Sequence, residues 1–163
     1  MKDRVALVTG GMGTIGTAII EALHAGGCKA IATFKFPGDS SADAWTQGMA
    51  EKGIDVTVVE CDVADYDATK AALTEVESQC GPVDILVNGA GITRDNTLRK
   101  MTPDQWQAVI KVNLDSVYNC TQPLIVSLAD EETGRVRLRA PLIDDVLPSV
   151  SRRYTYTKLL ICM

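Results

Sequence analysis

The sequence predicts an α/β fold built on a doubly wound parallel sheet. Three observations predict it. A short apolar run, Val5-Ala-Leu-Val8, leads into a glycine turn, Thr9-Gly-Gly-Met-Gly-Thr-Ile-Gly16, and then into a helical pattern. Apolar runs of strand length alternate with amphipathic stretches of helix length up to Asn88. Gly and Pro punctuate the boundaries between them. Parallel strands need long crossovers, so this alternation implies helices on both faces of the sheet, joined by right-handed connections.

The elements follow in order. Strand one is Val5–Val8. The helix from Thr14 to His24 carries Ile15, Ala18, Ile19, Ala22 and Leu23 at a 3.6-residue period, and Gly26-Gly27 ends it. Ala30–Phe34 is strand two, followed by a loop with Pro37-Gly38 and a helix carrying Trp45 and Met49. Val56–Cys61 is strand three. Asp65 caps a helix to Gln79, which Gly81-Pro82 stops, and Asp84–Asn88 is strand four. Thr102-Pro-Asp-Gln105 is a helix start: a capping threonine, a proline suited to the first helical position, and a glutamine that completes a capping box. Trp106, Val109, Ile110, Asn113, Val117 and Cys120 then share one face, and Pro123 is expected to end or kink the helix. Asn113 is an amide in an apolar stripe, so it needs partners or a function.

Composition narrows the function. The chain has 163 residues, 46% apolar and 23% charged, enough for one domain with a real core. A net charge of −5 argues against a nucleic-acid partner held by phosphate contacts. It does not argue against a nucleotide, whose phosphates backbone N–H groups can hold. The five cysteines (Cys28, Cys61, Cys80, Cys120 and Cys162) form no CxxC or Cys/His cluster, so neither zinc nor a disulfide frame is expected. They read as small core residues in a reducing compartment. With no signal-peptide pattern and no apolar run long enough to span a membrane, a cytoplasmic protein is expected. The turn itself is the chemical signal. Glycines let the backbone approach a pyrophosphate, and the following helix aims its positive N-terminus at it.

The motifs resemble the short-chain dehydrogenase/reductase family over residues 1 to about 125. Thr9–Gly16 resembles its TGxxxGxG turn, Asp62-Val63 its adenine-contacting pair, and Asn88-Gly-Ala-Gly91 its NNAG turn. Asn113 matches the asparagine of its catalytic tetrad. The runs Gly91–Asp95 and Leu98–Thr102, with Trp106, are similar to those of acetoacetyl-CoA reductases of polyhydroxyalkanoate synthesis, and 3-oxoacyl-[acyl-carrier-protein] reductases share much of them. The resemblance implies a Rossmann-type sheet. Gly10, Gly11, Met12, Gly13, Thr14, Ile15, Gly16, Asp62, Val63, Asn88, Gly89, Ala90 and Gly91 are then the cofactor-binding residues, and Asp95 and Lys100 face the substrate. Thr14 stands where the family has its middle glycine, either crowding the pyrophosphate or donating its hydroxyl to it. Gly89 replaces the second asparagine of NNAG, removing a side-chain hydrogen bond that braces the sheet.

In the family a tyrosine protonates the carbonyl oxygen as hydride arrives. A lysine four residues on lowers that tyrosine's pKa, a serine polarises the carbonyl, and the asparagine holds a water. Tyr154-Thr-Tyr-Thr-Lys158 offers the tyrosine and the lysine, in register with Asn113 counted through Gly134-Arg135. The same count puts Pro141 at the serine, and proline has no hydroxyl. Residues 126–163 form a divergent tail of the single domain 1–163. Within it residues 126–153 lose glycine and gain arginine, as a shifted reading frame would produce, and Arg135–Arg139 alternates like a half-exposed strand. The sheet is therefore expected to be incomplete at its C-terminal side, with an unpaired strand edge. A tetramer of the family's kind, joined through the Thr102 helix and the helix at the tyrosine, is expected to be weakened.

Strand two ends Thr33-Phe-Lys35, without the acid that would favour an unphosphorylated ribose. Lys35 can instead pair with a 2′-phosphate, so NADP(H) is the expected cofactor. Arg94, Arg99 and Lys100 form a basic loop, read equally as a contact for coenzyme A phosphates and as a solvated surface. The expected function is reduction of a 3-oxoacyl thioester, on coenzyme A or on acyl-carrier protein, most readily acetoacetyl-CoA. The alternatives are a nucleotide-binding fragment of such a reductase and, from another class, a sugar epimerase. The spacing Gly10–Gly16 and the run Gly91–Asp95 disfavour the epimerase.

Overall fold

The apolar runs become strands because the chain can bury both of their faces at once. The computed structural model describes residues 3–35, 40–128 and 160–162. Its elements are β1 (Val5–Val8), α1 (Thr14–Ala25), β2 (Lys29–Phe34), α2 (Ser40–Glu51), β3 (Val56–Glu60), α3 (Tyr66–Cys80), β4 (Val83–Val87), α4 (Pro103–Ile110), a π-helical turn (Lys111–Asp115), α5 (Ser116–Leu128) and β5 (Leu160–Cys162). The sheet runs in the order β3-β2-β1-β4-β5. The first four strands are parallel, and β5 pairs antiparallel with β4.

Side-chain alternation sorts each strand between two cores. Ala6, Val8, Ala30, Ala32, Ile85 and Val87 pack with Ile19, Ile20, Leu23 and Met49 on the side of α1 and α2. Val5, Leu7, Ile31, Val83 and Leu86 pack with Leu73, Val76, Cys120 and Leu124 on the side of α3 and α5. Each fully buried Leu or Ile contributes about 1.5–3 kcal/mol to holding these layers. Between β1 and β4 the register skips Asp84, and its carboxylate accepts the Val5 N–H at 2.9 Å, so the irregularity leaves no buried donor unmet.

The helix ends follow local chemistry. Asp65 accepts from the Ala68 N–H at 2.9 Å to start α3. Thr102 and Gln105 form the reciprocal capping box of α4.

Several expectations need correction. Along α1 the buried residues are Gly16, Ile19, Ile20 and Leu23, whereas Ile15 is 55% exposed and Ala18 is exposed. Gly16 has to face the glycine turn, and this rotates the helix so that Ile15 turns outward. Trp106 is also exposed, and α4 buries no residue. The π turn adds a residue to the helical repeat. The buried face of α5 therefore falls on Ser116, Cys120 and Leu124 rather than on Val117. Helix α5 continues through Pro123 to Leu128. The edge of β4 is not left unpaired, because β5 covers it. The loop at Pro37-Gly38 and the tail features from Gly134 to Lys158 lie outside the described residues.

Candidate functional site: a nucleotide cradle at the switch point

In the strand order β3-β2-β1-β4 the connections reverse direction between β1 and β4. A parallel sheet opens a crevice there, beyond the carboxyl ends of its strands. Both glycine turns lie at this point, Thr9–Gly16 after β1 and Asn88–Gly91 after β4.

At three of its positions the first turn has no room for a side chain. Gly10 has φ +65°, and a Cβ there would stand 2.8 Å from the Ala90 Cα. A Cβ on Gly11 would stand 2.7 Å from the Ala32 Cβ. On Gly16 it would overlap the Gly10 carbonyl oxygen and lie 2.7 Å from the Gly11 Cα. Three glycines thus let β1, α1 and the second turn close on one another. Gly13 is the N-cap of α1, contributes no side-chain cap and is exposed, and no acid stands in the first turn. The first N–H groups of α1 are therefore left to an external anion, which the helix dipole favours. Thr14, the first residue of α1, is exposed, so its side chain takes no space inside the turn itself. Met12 is half-buried beside it.

Thr9 binds the two turns together. Its hydroxyl accepts from Gly89 N at 3.0 Å and Ala90 N at 3.1 Å, and donates to the Val87 carbonyl at 3.4 Å. A Cβ at Gly89 would lie 2.6 Å from the Thr9 carbonyl oxygen, so the glycine in place of asparagine brings the second turn into close contact with the first. Gly10 N donates to the Thr33 hydroxyl at 3.3 Å. Asn88 is 3% exposed, and neither its amide oxygen nor its amide nitrogen has a partner among the described residues. A buried amide unmet on both atoms is costly and gains by meeting a polar ligand. Glycines that a Cβ would block, unclaimed helix N–H groups and this amide together fit the phosphates and polar groups of a dinucleotide.

At the far end of β2, Lys35 Nζ lies 3.0 Å from Asp62 Oδ2, with both side chains partly exposed. Asp62 Oδ1 also accepts the Ala64 N–H at 3.1 Å. The Val63 side chain is buried in the second core and its carbonyl accepts from Asn119 Nδ2 at 3.0 Å, so any contact with a base comes from its backbone. Ala90 packs against the same core, while Gly89 and Gly91 are exposed.

Asn113 sits in the π turn. Its amide clasps one backbone residue, accepting the Ile92 N–H at 2.9 Å and donating to the Ile92 carbonyl at 3.0 Å. One lone pair and one N–H of that amide remain for a water. This clasp fixes the start of the loop that carries Asp95 and Lys100. Both of these residues are exposed on that loop. Tyr154, Lys158 and Pro141 lie outside the described residues.

Three threonines have a clear structural part in the site: Thr9, which the sequence placed only as the first residue of the glycine turn, and Thr33 and Thr17, for whose hydroxyls the sequence carried no signal. Thr17 accepts from Trp45 Nε1 at 3.0 Å. Among the described residues, no group of three or more metal-ligating side chains is present, and no helix is long and apolar enough to cross a membrane.

The short chain dehydrogenase family model matches residues 4–137. The chain is 43% identical over 133 residues to an acetoacetyl-CoA reductase of Allochromatium vinosum, a match covering 82% of this chain and 54% of that protein. It is 48% identical over 134 residues to an acetoacetyl-CoA reductase of Rhizobium meliloti, covering 82% and 53%. Among solved structures it is similar to a blue fluorescent protein from a metagenomic library in complex with NADPH. That match has a TM-score of 0.70 and 32% identity, and covers 79% of this chain and 53% of the other. The chain spans about half the length of the curated relatives it matches. A family match over most of the residues, on a sheet that presents its glycine turns at the switch point, leads to one assignment: the chain belongs to the short chain dehydrogenase family.

Proposed function

We propose that this chain binds NADPH and takes part in reducing a 3-oxoacyl thioester, with acetoacetyl-CoA as the substrate. The observation that carries the reading is the cradle of Gly10, Gly11, Gly16 and Gly89, closed to any Cβ and facing the open N-terminus of α1. The identity to acetoacetyl-CoA reductases supports the substrate, and the NADPH complex of a similar structure supports the cofactor.

When bound, NADPH supplies the hydride. The residues of this chain do the rest. The N–H groups at the start of α1 hold the pyrophosphate. Asn88 gives its amide to the nucleotide's polar groups. Lys35 meets the 2′-phosphate, which competes with Asp62 for its ammonium group. Tyr154 donates a proton to the substrate's carbonyl oxygen, and the charge of Lys158 makes that proton easier to give. The remaining N–H and lone pair of Asn113 hold the water through which Tyr154 and Lys158 are reprotonated. Asp95 and Lys100 lie on the substrate side of the loop that Asn113 anchors.

The test is to mix the purified chain with NADPH and acetoacetyl-CoA and follow NADPH absorbance. Turnover that disappears in Tyr154→Phe is expected, and a parallel assay with the acyl-carrier-protein thioester decides the carrier. Tight NADPH binding with no turnover on either thioester favours a nucleotide-binding chain without catalysis, a reading that Pro141 at the serine position supports. Lys35→Ala is expected to weaken NADPH binding and leave NADH binding unchanged. Equal wild-type affinities for the two cofactors would overturn the 2′-phosphate assignment.

A further inference from the structure

We propose that Trp45 and Thr17 form a positioning relay that sets the orientation of the Gly11–Met12 peptide, so that α2 controls how well the glycine turn binds phosphate. The proposal rests on the nucleotide-binding reading above.

Trp45 lies on α2, packed against the first core, and its indole N–H donates to the Thr17 hydroxyl at 3.0 Å. An indole nitrogen can only donate. The Thr17 hydroxyl therefore uses its oxygen toward Trp45 and must turn its own hydrogen elsewhere. It turns it to the Gly11 carbonyl oxygen, at the long distance of 3.5 Å. Thr17 also stands in the first turn of α1, its N–H bonded to the Gly13 carbonyl at 2.7 Å. The relay thus connects α2, α1 and the turn.

The direction of the Gly11 carbonyl matters because of what lies on the other side of the peptide. In a trans peptide the carbonyl and the following N–H point opposite ways, and the described chain has no cis bonds. With the Gly11 carbonyl drawn toward Thr17, the Met12 N–H points away from Thr17. A flipped peptide would put the carbonyl oxygen there instead, and its partial negative charge would repel a phosphate. Such a flip turns ψ of Gly11 and φ of Met12, and on the Gly11 side no Cβ resists it. Gly11 is glycine because of Ala32, whose Cβ leaves no space for another. The glycine that packing requires at this position therefore leaves its own side of that peptide plane unrestrained. An outside anchor corrects this, and Thr17, polarised by Trp45, is that anchor.

Binding of NADPH, and of 2′,5′-ADP as a phosphate probe without nicotinamide, tests the relay in the full chain. Trp45→Phe keeps the aromatic packing and removes the donor. Thr17→Val keeps the shape and removes the hydroxyl. Each is expected to raise the Kd of both ligands roughly tenfold. The double variant is expected to be no worse than the weaker single one, since both act through one peptide. Thr17→Ser is expected to restore near wild-type affinity. Ile54→Val, a packing loss in the same core away from the relay, is expected to lower the melting temperature and leave Kd unchanged. In a Trp106→Phe background, 2′,5′-ADP is expected to change the emission of Trp45, and Thr17→Val is expected to abolish that change. Affinities of Trp45→Phe and Thr17→Val within twofold of wild type, with only their melting temperatures lowered, overturn the relay while leaving nucleotide binding intact. A wild-type chain that binds neither ligand overturns both readings.

Discussion

Thr9 joins both glycine turns through one hydroxyl, which serves Gly89 N, Ala90 N and the Val87 carbonyl. Thr9→Val keeps the shape and removes the oxygen at a 3% exposed position, leaving the Ala90 N–H unmet while the Gly89 N–H keeps the Val87 carbonyl at 2.9 Å. A loss of about 1–3 kcal/mol is expected, read as a lower urea midpoint with an unchanged slope. Gly16→Ala acts differently. Its Cβ has to displace backbone, the Gly10 carbonyl and the Gly11 Cα, rather than a flexible side chain. Nucleotide binding is expected to disappear in this variant, and titration with NADPH reads it; wild-type affinity would show that the turn has room to spare. At this scale the glycines were legible because a spacing of glycines has few other uses. The hydroxyl contacts of Thr9, Thr17 and Thr33 were not legible, because a threonine at a strand end or a helix start looks the same whether or not its hydroxyl meets a neighbour.

At the scale of elements, start signals read well. The box at Thr102 and Gln105 and the cap at Asp65 depend only on residues within one turn, and both form as the sequence indicates. Thr102→Ala is expected to cost about 1 kcal/mol and to fray α4, measured by denaturant unfolding and helical circular dichroism. Because α4 buries no residue, this cap supports it more than packing does. Helix faces read less well. The stripe from Trp106 to Cys120 assumed one uninterrupted period, and the π turn at Lys111–Asp115 breaks it. That turn is fastened by the clasp of Asn113 on Ile92, a contact across 21 residues that no local pattern displays. Asn113→Leu is expected to loosen the Gly91–Thr102 loop, seen as faster amide exchange there with little change in β1 and β2.

At the scale of the whole molecule, burial raises the thiol pKa of Cys61 and of Cys28 above the ordinary 9.0, with desolvation the largest cause for each. A group whose folded pKa lies above its unfolded one stabilises fully below the unfolded value and loses that contribution as pH rises through the folded value. Stability is therefore expected to fall as pH climbs above about 9, by more in the wild type than in a Cys28→Ala/Cys61→Ala variant, with urea midpoints at neutral and alkaline pH as the measurement. Both thiols are also expected to label slowly with iodoacetamide until the chain is unfolded, while half-buried Cys80 labels before them. The sequence by itself determined the alternation of strands and helices, the parallel class of the sheet from β1 to β4, and the place of the glycine turns, because each depends on local periodicity and on backbone freedom written in single residues. Only the tertiary structure decided the rest: the rotation of α1 that turns Ile15 outward, the pairing of β5 with the edge of β4, the clasp on Ile92, the Lys35–Asp62 pair, and the Trp45–Thr17 contact behind the turn. Each of these is settled by which distant segments must share the same few ångströms, and no local window of the chain carries that information.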